Sequence, residues 1–155
     1  MAKEQLDALD TSILRILATR GRITVTELAD LVGLSKTPCQ IRMKRLESQG
    51  YILGYTAILN HKLLDTSHIA FVQVKLKDTR AATLKAFNKA VAEVREIEEC
   101  HMIASSFDYL LKVRSKDIIS YREVLGETIT ELPFVASTST FVSMEAVKES
   151  GNVFD

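Results

Sequence analysis

Between Asp30 and Glu47 the sequence holds no acidic residue, and Lys36, Arg42, Lys44 and Arg45 all fall inside that window. Four cations without local counter-charge form the footprint of a polyanion-binding surface. On a helical wheel Cys39, Met43 and Leu46 share one face. Thr37, Gln40, Ile41, Lys44 and Ser48 project from the opposite face, with Arg42 and Arg45 at its flanks. A solvent-facing Ile41 gains nothing from water. A thymine methyl would cover it, and Gln40 carries the donor and acceptor that adenine N6 and N7 require. Lys36, Arg42, Lys44 and Arg45 are expected on phosphates, adding affinity and salt dependence rather than sequence readout. Ser35, at the head of the helix, is expected to bring backbone N–H groups to a phosphate. The competing reading is a solvated basic face on a small helical module used for protein contacts.

The elements that must position this helix can be read from the surrounding residues. Asp7 or Asp10 can cap a first helix with Leu9, Ile13, Ile16 and Leu17 at helical spacing, ended by Gly21. Thr24-Val-Thr-Glu27 is a capping-box pattern that opens a second helix of about two turns, which Gly33 ends. Ser35 can cap the basic helix, and Pro38 is tolerated in its first turn. That helix runs to Ser48 or Gln49 and stops at Gly50. A short helix, a glycine-containing turn and a longer basic helix make a helix-turn-helix, whose second helix enters the major groove. Tyr51 to Leu59, aromatic and β-branched around Gly54, reads as two short strands forming a wing. The first 60 residues are thus read as one DNA-binding module, and residues 61–67 as a hinge.

Residues 68–155 follow a different rhythm. Ile69–Lys77, Glu98–Ala104, Tyr109–Arg114 and Val135–Met144 are strand-like, and residues 81–94 and 117–132 are helical. The order β-α-β-β-α-β is the split-βαβ, ferredoxin-like arrangement with an antiparallel sheet. The whole chain is therefore expected to be α+β, a winged helix-turn-helix followed by a ferredoxin-like domain. Two helices cover one face of such a sheet. Phe71, Tyr109 and Phe141 are expected on the other, which calls for a partner sheet.

Composition narrows the function classes. Of 155 residues 46% are hydrophobic and 26% charged, an ordinary globular balance, and no apolar run is long enough for a membrane span. The expected place is the cytoplasm, with Cys39 and Cys100 as reduced thiols. The net charge is zero, so a polyanion suits the basic helix and not the rest of the surface. His61, His68 and His101 show no metal-ligand spacing, and adjacent Cys100 and His101 point to opposite faces of a strand. Ser105 and Ser106 lack the glycine frame of a hydrolase nucleophile, and no catalytic residue set is expected.

The residues also resemble the Lrp/AsnC (feast/famine) family of bacterial and archaeal regulators. The resemblance runs through Leu6-Asp7, Asp10, Ile13-Leu14, Gly21-Arg22-Ile23, Glu27-Leu28-Ala29, Val32-Gly33-Leu34-Ser35, Pro38, Arg42 and Arg45-Leu46-Glu47. It continues in Glu99-Cys100, Phe107 to Val113, Leu132-Pro133, Ser137-Thr138 and Val147-Lys148. It implies an oligomeric, nucleoid-associated regulator of amino-acid metabolism, dimeric through its C-terminal sheets and often a tetramer of dimers. No cofactor is implied, but an effector is, an amino acid or related small molecule bound at the interface between dimers in a region that includes the loop after the second strand. That loop is usually Gly-Asp-Tyr-Asp; here it reads Ser105-Ser106-Phe107-Asp108, and Phe134 stands where a small residue is common. Ser105, Ser106, Phe107, Asp108, Ser137, Thr138 and Thr140 are the effector-binding candidates the resemblance suggests. The departure leaves open an altered effector, weaker binding or an effector-independent regulator; the alternative from another class is a small-molecule sensor or enzyme on the ferredoxin-like domain whose helix-turn-helix is not used on DNA.

Overall fold

A computed structural model describes residues 5–149, which divide between Ile58 and Leu59 into two compact units. In the first, α1 (Ala8–Thr19), α2 (Val25–Val32) and α3 (Lys36–Ser48) pack around Ile13, Leu28, Ala29, Cys39 and Leu46. Local chemistry sets each helix end. Asp7 caps α1 in a reciprocal box with Asp10, and Thr24 caps α2 in the same way with Glu27. Gly33 ends α2 in the left-handed region at φ 71°, a conformation that costs a residue with a Cβ about 1–2 kcal/mol. Gly50, at φ 74°, turns the chain after α3 in the same way.

Two local expectations change. Ser35 occupies the N-cap position of α3, but its side chain makes no capping hydrogen bond. Residues 51–60 contain no strand, so Tyr51–Leu59 does not fold back on itself as a two-stranded hairpin. A two-stranded ribbon alone buries too little to hold itself together. The Tyr55 hydroxyl instead donates to Glu47 Oε1 at 3.0 Å, tying this segment to the end of α3.

The second unit is a four-stranded antiparallel sheet in the order β2-β3-β1-β4, from β1 (His68–Leu76), β2 (Ile97–Met102), β3 (Tyr109–Ser115) and β4 (Val135–Val142). α4 (Ala81–Val91) follows β1, and α5 (Ile118–Val124) follows β3 and continues as a π-helical turn, Leu125–Ile129. Ala70, Val72, Val74 and Leu76 of β1 and Tyr109, Leu111 and Val113 of β3 are buried with Phe87, Val91, Tyr121 and Ile129. This is the period-two alternation of a sheet with helices on one face. Residues 61–65, expected as part of a hinge, form turns, with the N–H of Leu63 and Leu64 donating to the Asn60 carbonyl. Tyr109, expected on the open sheet face, is buried on the helix face. Its ring centroid lies 4.5 Å from that of Phe87, the rings tilted by 38°, and its hydroxyl donates to Asn88 Oδ1. Phe71 and Phe141 do share the open face, directly opposite each other in the β1–β4 register, and both are exposed.

Candidate functional site

In α3, Cys39 and Leu46 are fully buried and Met43 is half-buried, which anchors one face of the helix on α1 and α2. Thr37, Gln40, Ile41, Lys44 and Ser48 are all exposed on the opposite side, as are Ser35 and Lys36 at its head. Ile41 is 62% exposed. The wheel drawn from sequence therefore survives for the outward residues.

Arg42 and Arg45 do not join them. One Arg42 terminal nitrogen donates to Asp7 Oδ2 at 2.6 Å and to Asp10 Oδ1 at 2.8 Å, and Arg45 donates to Asp10 Oδ2. The Asp10 side chain is fully buried. The backbone N–H of Asp10 and then the Arg42 guanidinium hold the Asp7 carboxyl below its ordinary value. Arg42 is pushed up in turn, first by Asp7 and then by Asp10. Both arginines, expected on phosphates, thus spend charge on the N-terminal turn of α1. The partners lie 32 to 35 residues away, a separation over which no helical periodicity signals a contact.

The effector candidates divide as well. The loop after β2 exposes Ser105 and Ser106, while Phe107 is half-buried and Asp108 buried. Asp108 accepts from the Leu76 N–H at 2.8 Å and from Lys75 Nζ at 3.2 Å, and its own N–H donates to the Val74 carbonyl at 2.9 Å. Its carboxylate is a fastener between loop and β1. Ser137 lies opposite Lys75 in the β1–β4 register and so shares the open face with it. Thr138 and Thr140 lie opposite Val74 and Val72 on the helix face, and Thr140 Oγ1 is 2.5 Å from the Tyr121 hydroxyl. The set expected around one ligand is split across two faces of the sheet because side chains alternate along β4.

One neighbour of that loop was missed by sequence reasoning. Lys75, half-exposed, is the cation beside Asp108. Phe134 sits in the left-handed region at φ 65°, and its carbonyl accepts from the Lys77 N–H at 2.8 Å, at the same end of β1. Among the described residues, no group of three or more His, Cys, Asp or Glu is placed to hold a metal ion, and no helix is long and apolar enough to cross a membrane.

A three-helix unit with an outward basic helix, followed by a β-α-β-β-α-β unit, defines a DNA-binding transcriptional regulator of the winged helix-turn-helix class. Residues 6–52 match the winged helix-turn-helix DNA-binding model, and residues 69–153 match the Lrp/AsnC ligand binding domain. The chain belongs to the Lrp/AsnC family. It is 57% identical over 148 residues to a proline dehydrogenase transcriptional activator of Rhizobium radiobacter, covering 96% of this chain and 95% of that one. It is 47% identical over 150 residues to the leucine-responsive regulatory protein of Escherichia coli K12, covering 97% and 92%. A transcriptional regulator from Neisseria meningitidis, solved as a complex with L-methionine, superposes with a TM-score of 0.87 at 26% identity, covering 96% of each chain.

Proposed function

We propose that α3 reads operator DNA through Gln40 and Ile41, with Thr37 and Ser48 beside them and Ser35, Lys36 and Lys44 on phosphates. The exposure of Ile41 at the centre of the outward face carries this reading, since a β-branched apolar residue there has no intramolecular use. The first 60 residues are the DNA-binding module. The exposed Phe71–Phe141 pair on the open sheet face supports a homodimer formed through that face, with an octamer as the larger assembly. The protein works in the cytoplasm, without cofactor, and is not an enzyme. By analogy with the proline dehydrogenase activator, the regulated genes are those of amino-acid use, and the effector is an amino acid received near Ser105, Ser106, Lys75 and Ser137. A second reading, regulation without an effector, is favoured by Asp108, whose carboxylate is already taken by Leu76 and Lys75.

Footprinting the full-length protein on its own upstream DNA, with and without each amino acid, tests both readings. Lys44→Ala is expected to weaken every duplex and to lower the salt slope by about 1, whereas Gln40→Ala and Ile41→Ala shift site preference. Equal losses on operator and random DNA for all three would overturn the readout. Footprints unchanged by every amino acid would leave the effector-independent reading standing.

A further inference from the structure

We propose that Asp7 and Asp10 are specificity-determining residues, because they hold Arg42 and Arg45 of the recognition helix back from the DNA phosphates. The inference rests on the assignment of α3 as the DNA-facing helix. Four cations fall in the acid-free window, and two of them are neutralised by carboxylates of α1. Lys36 and Lys44 remain outward and exposed.

The competition is between two anions for the same guanidinium. Moving Arg42 or Arg45 to a phosphate exchanges one ion pair for another, but it also strips a counter-charge from Asp10, whose side chain is fully buried. A buried carboxylate left short of a partner is costly, so the exchange runs uphill. Both arginine side chains keep a quarter to a third of their surface in solvent, at 26% and 30%. They therefore lie within reach of a polyanion if the aspartates let go.

The consequence falls on non-specific binding. A phosphate contact carries no sequence information, and each one adds about 0.9 to the slope of log K against log salt. Withholding two such contacts weakens binding to every duplex alike and leaves the share from Gln40 and Ile41 untouched. The ratio of operator to random binding rises as a result, which is discrimination by removing a generic attraction.

The test compares full-length wild type, Asp7→Asn and Asp10→Asn on a labelled random-sequence duplex between about 50 and 200 mM KCl. The expected result is a slope steeper by about 0.9 for each arginine released, with tighter random-duplex binding at the low-salt end. Asp7→Asn frees Arg42 in part, and Asp10→Asn acts on both arginines. A slope equal to or shallower than wild type in a folded variant would show that the cluster is a structural joint and nothing more. Should Asp10→Asn not fold, Asp7→Asn decides the matter, because its carboxylate is half-exposed and bonds Arg42. Wild type that binds no duplex at low salt would overturn the DNA-facing assignment and this inference together; wild-type binding with unchanged variant slopes overturns this inference alone.

Discussion

Among the described residues each unit of the chain holds one buried aspartate, Asp10 in the first and Asp108 in the second, and the two are used differently. Asp10 sits under the recognition helix and is compensated by two arginines from another helix. Asp108 sits in the candidate effector loop and is compensated chiefly by a backbone N–H, that of Leu76, with Lys75 at its solvent edge. In the helical unit, therefore, ion pairs tie α3 to the start of α1 alongside the apolar contacts of Cys39 and Leu46. In the sheet unit, the loop depends on one acceptor oxygen, and charge matters less. The lesson is that a residue's type marks it as polar and valuable, whereas its partners decide whether the value is spent on folding or on a ligand.

This contrast can be broken by experiment. The largest effect is expected from Asp10→Ala, which removes the buried carboxylate that Arg42 and Arg45 share, leaving Asp7 to Arg42, and should cost about 3 kcal/mol. Urea unfolding followed by far-ultraviolet circular dichroism would measure it, and a loss below about 1 kcal/mol would mean the arginines find other acceptors. Asp108→Ala should cost about 2 kcal/mol by stranding the Leu76 N–H, and Asp108→Asn, which keeps an acceptor oxygen, less than half of that. Equal losses for the two Asp108 variants would make charge the decisive feature there too, and the contrast would fail. The smallest effect is expected at Phe134. Its left-handed backbone costs a residue with a Cβ about 1–2 kcal/mol, partly offset in a glycine variant by extra chain entropy. Phe134→Gly should stabilise the protein by about half a kcal/mol, visible as a small rise in melting temperature. A fall would show that the exposed ring packs in the assembled protein.

Much of the fold was legible because its signals are local. The aspartate cap of α1, the capping box at Thr24–Glu27, the glycines after α2 and α3, and the alternation of β1 each reside within a few consecutive residues. The outward face of α3 was legible for the same reason, since a helix fixes side-chain directions by periodicity. What failed were statements about partners. Arg42 and Arg45 look like phosphate ligands until the fold brings α1 beside them. Tyr109 looks like an open-face aromatic until the strand phase puts its ring on Phe87.

By itself, then, the sequence determined the order of the helices and of the four sheet strands, the buried stripe and outward residues of α3, and the family. All of these follow from periodicity, turn chemistry and motif spacing along a single chain. The tertiary structure alone decided which charges are spent internally, which strand residues lie opposite one another across the sheet, and that Tyr51–Leu59 forms no hairpin of its own. Those outcomes depend on contacts between residues tens of positions apart, where Coulomb attraction, strand register and burial act through space and leave no local pattern to read.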